Sequence, residues 1–167
     1  MKLGFWERRR ARKTFERFVS LDVIRLIAKS PNEFVRKPKQ RHFQFVVILL
    51  DDSRAEDIPA NLSRIADACL RYRSMISNIS ASLVVACLGV PFPEGDSVEA
   101  RLSLVNTLVA ENGDRIRVAH GQCNGMVGNL GSRQRFCYEA VIPRFSEILK
   151  QLLNSPNGIV LEVAPNG

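Results

Sequence analysis

An α+β fold, with helices packed on one face of a sheet, is the class this sequence predicts. Two observations carry that reading. Short β-branched apolar runs alternate with longer segments whose apolar residues recur every three or four positions, so hairpins alternate with crossover helices. The composition suits one domain with a real core: 167 residues, 46% hydrophobic and 25% charged. A disordered chain lacks that apolar content. The longest apolar run, Phe45 to Leu50, fits a buried strand and falls far short of the ~18 residues needed to span a bilayer. Met1 to Trp6 lacks the apolar stretch of a secretory signal, so a cytoplasmic protein is expected.

Residues 5–29 read as helix. Arg8, Arg9, Arg10, Arg12 and Lys13 form a basic block, followed by Phe15, Phe18, Val19, Val23, Leu26 and Ile27 at helical spacing. Ser30-Pro31-Asn32 stops the pattern, and 33–41 is a charged linker. The body starts at His42, and Phe43 to Leu50 is the first strand. After a turn at Asp51-Asp52-Ser53, Pro59 suits the first turn of a helix running to about Tyr72. Leu62, Ile65, Ala66, Cys69 and Leu70 are its apolar stripe. Ser74 to Ile79 and Leu83 to Leu88 form a hairpin, and Gly89 to Gly95 is a loop. Asp96-Ser97-Val98-Glu99 resembles a capping box with Asp96 as the cap. The helix behind it runs to about Glu111 and turns Leu102, Val105, Leu108 and Val109 inward. Arg115 to His120 and Gly125 to Val127 are expected as short strands around a Gly/Asn turn, with a loop from Gly128 to Arg135. Phe136 to Val141 is a strand, Pro143 to Leu153 a helix, and Ile159 to Val163 a last strand.

The net charge of +7 is uneven. Residues 1–41 hold 13 Lys and Arg against 4 Asp and Glu, and residues 42–167 hold 11 against 13. The chain therefore divides into a basic helical arm and linker, 1–41, and a folded body, 42–167. Because the body is slightly acidic, nucleic acid is not an expected partner. Cys69, Cys87, Cys123 and Cys137 are far apart, and His42 and His120 are the two histidines, so zinc and disulfide frameworks are not expected. The Gly125 to Gly131 region lacks P-loop spacing and is expected as a hairpin loop.

Several ordered stretches resemble the catalytic domain of class III nucleotidyl (adenylate/guanylate) cyclases. Phe15 to Val23 looks like the segment upstream of many bacterial catalytic domains. Phe45-Val-Val-Ile-Leu-Leu-Asp51-Asp52 looks like the first strand, which ends in a metal-binding Asp. Ala86-Cys-Leu-Gly89-Val-Pro91 looks like A-x-F-G-x-P. Gly128-Asn-Leu-Gly131-Ser-Arg133-Gln-Arg135-Phe-Cys-Tyr138 is similar to G-N-I-G-S-x-x-R-x-x-Y, the most specific of the set. Together they cover roughly residues 15–153. The resemblance implies an α+β, ferredoxin-like βαββαβ core of the class III cyclase type with an N-terminal helical arm.

For activity the same resemblance implies a degenerate site. The family holds two Mg²⁺ or Mn²⁺ ions on two Asp, which lowers the pKa of the attacking hydroxyl. The first Asp falls on Asp51 or Asp52. The second, four residues before Ala86, is Ser82. The base-reading Lys falls on Asn78, and the second base-reading position is Glu139. The Asn and Arg of the V-N-x-A-x-R helix fall on Ser146 and Lys150, and Lys lacks the bidentate fork of Arg. Arg133 and Arg135 lie near the former phosphate site, as candidates for nucleotide binding. The segment between Asp52 and Ser80 has room for one helix where the family has two. The expected function is a catalytically inactive cyclase-homology protein that dimerises with, or regulates, a partner in cyclic-nucleotide signalling. An active cyclase and a nucleotide-binding module are the alternatives. No cofactor is expected, with Mg or Mn relevant only to residual activity or nucleotide binding. The partners implied are a second copy or a cyclase-type domain. Residues 5–13 add a candidate contact with an anionic membrane surface, which would place the protein at the inner face of the membrane.

Overall fold

The computed structural model describes residues 38–51, 55–80, 82–91, 93–130 and 138–165. The expected helical arm, Asp52, Arg133 and Arg135 lie outside the described residues. The elements are β1 (Lys39–Leu50), α1 (Ile58–Arg71), β2 (Met75–Ile79), β3 (Leu83–Leu88), α2 (Val98–Asn112), β4 (Ile116–Asn129), β5 (Tyr138–Val141), α3 (Phe145–Leu153) and β6 (Val160–Val163).

The sheet order is β2-β3-β1-β4-β5, with β6 also on β4. Strands β1, β3 and β4 pair antiparallel, and β6 joins β4 in parallel. Thus β1-α1-β2 and β3-α2-β4 are each split by an intervening strand, which is the ferredoxin-like βαββαβ arrangement. One helix, α1, fills the stretch between β1 and β2, as the short segment predicts. Pro sits in its first turn, where the missing N–H has no partner to lose.

Residues 43–50 of β1 are all buried, because both faces of the strand are covered. Val46, Ile48 and Leu50 pack against Ile65, Ala68 and Cys69 of α1 and Leu104, Val105 and Leu108 of α2. Phe43, Phe45, Val47 and Leu49 pack against Ile148 and Leu152 of α3, with Ile159, Leu161 and Val163 around them. The expectation of a single helical face is therefore corrected. The helix from Pro143 to Leu153 was legible in the sequence, but the side of the sheet it takes was not.

Three local expectations also change. First, β4 is one strand of 14 residues where two short strands around a turn were expected. Gly121 and Gly125 lie inside it because other groups press on them. A Cβ on Gly121 would meet the Val163 carbonyl at 2.7 Å and the Phe45 ring at 3.1 Å. On Gly125 it would meet the Val141 carbonyl at 2.2 Å and the Phe43 ring at 2.8 Å. Second, Ser97 caps α2, its Oγ accepting from Ala100 N at 3.2 Å, and Asp96 does not. Asp96 instead accepts from Gln44 Nε2 at 2.9 Å and His42 Nδ1 at 2.7 Å. Gly89, at φ +80°, leaves room for it: a Cβ there would lie 2.6 Å from Asp96 Cβ. Third, α2 turns Val105 and Leu108 inward as expected, with Val109 partly buried against the same cluster, but not Leu102. Arg101, Leu104, Val105 and Leu108 are buried, while Leu102 is exposed. No helix among the described residues is long and apolar enough to cross a membrane.

Candidate functional site

The end of β1 and the tip of the β2–β3 hairpin meet. Leu49 faces Leu83 in the ladder, and one step on, Leu50 N–H donates to the Ser82 carbonyl at 2.7 Å. Asp51 follows, its N–H donating to the Arg115 carbonyl at 2.9 Å. The structure therefore brings together the segment that ends in Asp51 and the hairpin position occupied by Ser82. The Asp51 carboxylate accepts from Asn157 Nδ2 at 3.0 Å, a side chain from the turn between α3 and β6.

This pair does not fit two divalent ions. Such ions need carboxylates on both strands to offset their charge, and Ser82 is a neutral hydroxyl. The Asn157 N–H is a donor set against the one described carboxylate, where a cation would need an acceptor. No group of three or more His, Cys, Asp or Glu side chains among the described residues could hold a metal.

The other half of the candidate site lies at the opposite edges of the sheet. Asn78 pairs with Val85 on β2, just after a register shift that leaves Ser77 bulged. Ser77 Oγ donates to the Ala140 carbonyl on β5 at 3.4 Å. Since β2 and β5 stand at opposite ends of the strand order, the sheet curls and brings the segments of Asn78 and Glu139 together. Their faces differ. Val127 and Ala140 are register partners in the Phe43 cluster, so alternation puts Glu139 on the other side of β5. Ser146 and Lys150 are exposed on α3, four residues apart and so on one stretch of its surface. Lys150 borders a shallow recess with Glu147, Gln151, Asn154, Ser155 and Leu161.

The described thiols offer no nucleophile. Cys69, Cys87 and Cys123 are free and buried. Burial pushes the Cys69 and Cys123 thiols up to about 12 and raises Cys87 as well, so none ionises near neutrality. Sequence reasoning missed two polar features. Asn157 carries no motif, and its contact spans 106 residues of sequence. Arg101 belongs to no motif in the sequence, yet it is buried and pairs with Glu162.

No protein-family model matches the sequence, and a search of curated proteins finds no relative. Solved structures do match. The guanylyl cyclase Cya2 superposes with a TM-score of 0.54 at 14% identity, covering 76% of this chain and 77% of that one. A bacterial light-regulated adenylyl cyclase gives 0.66 at 12% identity over 86% of this chain, which spans about half (49%) of that protein. A dimeric guanylyl cyclase domain of the RhoGC fusion protein from the aquatic fungus Blastocladiella emersonii gives 0.52 at 12% identity, covering 75% and 80%. The fold is that of the adenylyl and guanylyl cyclase catalytic domain.

Proposed function

We propose that this chain is a catalytically silent cyclase-type domain that works by pairing, with a second copy or with a cyclase-type partner, in cyclic-nucleotide signalling. The observation that carries the reading is Ser82, which lies beside the end of β1 where the resemblance requires the second metal-binding Asp. Ser146 and Lys150 on α3 add to it, since they replace the side chains that orient the ribose and stabilise transition-state charge. Losing one such donor typically lowers the rate by about 10²–10³, and here several are changed at once. Pairing needs shape and apolar area rather than ligand geometry, so it outlasts lost chemistry. The basic arm serves attachment, either to the paired partner through Phe15, Phe18 and Val19 or to an anionic membrane surface through residues 5–13.

Purified full-length protein with Mn²⁺ and ATP or GTP tests the central point. We expect no cyclic AMP or cyclic GMP above a protein-free control, and sustained turnover by the chain alone would overturn silence. Light scattering tests pairing, and a strictly monomeric chain that also fails to bind a cyclase-type domain would overturn that role.

A further inference from the structure

A second polar cluster lies under the first turns of α2. Its members are His120 on β4, Arg101 on α2, Glu162 on β6 and Gln44 on β1. His120 and Arg101 are each 4% exposed, and His120 Nδ1, Arg101 Nε and Gln44 Oε1 are buried without a hydrogen-bond partner. Arg101 Nη2 donates to Glu162 Oε1 at 2.9 Å, joining a side chain that is 5% exposed to one that is 66% exposed. Glu162 is also the register partner of His120 across the β4–β6 ladder. The charged groups acting on His120 are thus Arg101 from α2 and Glu162 from β6. Strand β1 faces it with Val46, and β3 lies beyond with Ala86.

One partly exposed carboxylate therefore compensates one buried guanidinium, with a neutral imidazole beside them. The backbone pairing of β6 is short: a parallel ladder from Val118–Val160 to Gly121–Val163 and two lead-in bonds, Val118 N to Ile159 O and Gly158 N to Ile116 O, both 2.9 Å.

We propose that His120 is a proton-operated latch: its protonation loosens β6 from β4 and withdraws support from α3. A protonated His120 would place a second buried cation beside Arg101, with Glu162 alone to compensate both. The segment free to give way is β6, because its departure lets water reach the imidazole. The consequence reaches α3 because Ile159, Leu161 and Val163 pack in the same cluster as Ile148 and Leu152.

The direction with pH follows from the environment of His120. Burial and then Arg101 hold its pKa below the ordinary 6.5, and Glu162 only partly opposes them. The latched state favours the neutral ring, and the released ring regains its ordinary proton affinity. Latching is therefore complete above 6.5 and weakens as pH falls through 6.5 toward the lowered value. A single coupled proton changes the opening equilibrium by at most about tenfold per pH unit.

Residue-resolved hydrogen exchange on the full chain at about pH 7.5 and about pH 5, corrected for intrinsic rates, tests this. Protection of residues 160–163 and of the Val118 amide is expected to fall at the lower pH relative to β1 and β3. His120→Gln is expected to remove that difference, and Arg101→Met to shrink it. Three results would overturn the latch: unchanged protection in β6, an equal fall in β1 and β3, or a wild-type response in either variant. Should neither variant fold, an NMR titration of His120 in the native chain decides, and titration at or above 6.5 overturns the proposal.

Discussion

A methyl group on Gly125 would lie 2.2 Å from the Val141 carbonyl, whereas one on Gly113 would meet nothing within 4 Å. Gly125→Ala is therefore expected to destabilise the fold by about 1–3 kcal/mol, since strand β5 or the Phe43 ring must move. At Gly113, φ +57° with ψ −130° is a conformation that glycine alone adopts readily, so a substitution there costs backbone strain rather than a clash. Urea unfolding of Gly125→Ala measures the clash, and a loss below about 0.5 kcal/mol would mean that β4 is not pressed where we place it. The neighbours Asp96 and Ser97 make a second contrast. Ser97→Ala removes a helix cap and is expected to cost about 1 kcal/mol. Asp96→Ala leaves the buried Gln44 amide without its acceptor and is expected to cost about 1–3 kcal/mol. An Asp96→Ala loss within about 0.5 kcal/mol would show that Gln44 does not depend on Asp96. At this scale the sequence showed which positions to inspect, because the motifs keep their order around Asp51, Ser82, Asn78, Glu139, Ser146 and Lys150. It did not show how they face. Glu139 turns from the Phe43 cluster because the β4–β5 register pairs Ala140 with Val127, and pairing is not encoded in a four-residue run.

Elements were legible wherever one period dominated. Strand β3 has the expected bounds, Leu83–Leu88, and α1 lies within a residue of its expected end. The first strand starts earlier than expected, at Lys39, because backbone pairing with β4 as far as Val127 outweighs the polar character of residues 39–42. In α2, apolar residues fall on several faces, so its inward side is settled by packing and by the Arg101–Glu162 pair rather than by pattern. The placement of α3 can be tested directly. Leu152 is fully buried against the Phe43 side of the sheet, and Leu153 is 57% exposed. Leu152→Ala is expected to cost about 2–5 kcal/mol, while Leu153→Ala stays within about 0.5 kcal/mol. Thermal unfolding measures both, and a mild Leu152→Ala would show that α3 does not close that face.

For the molecule as a whole, a net charge of +7 suggests binding to polyanions at first sight. The division of that charge removes the suggestion for the body, in which acidic residues outnumber basic ones, and confines it to residues 1–41. The body carries the fold of a cyclase catalytic domain, with Ser82 beside the end of β1, so the basic excess and the candidate site lie in different parts of the chain. If the arm attaches the protein to an anionic surface, the five basic residues Arg8, Arg9, Arg10, Arg12 and Lys13 contribute about 1 kcal/mol each near that surface. The attachment must then weaken as salt shortens the reach of those charges to a few ångströms. Sedimentation with phosphatidylserine vesicles, at low and at high salt, distinguishes this from an arm that packs on a second copy. Surface attachment predicts salt-sensitive binding that disappears when residues 1–13 are removed, with oligomeric state unchanged. Packing on a copy predicts no vesicle binding and a shift to smaller species when Phe15 and Phe18 are both replaced by Ala, since these side chains lie beyond the basic block. An intact oligomer in that double variant, together with vesicle binding that survives removal of residues 1–13, would leave the arm without either role.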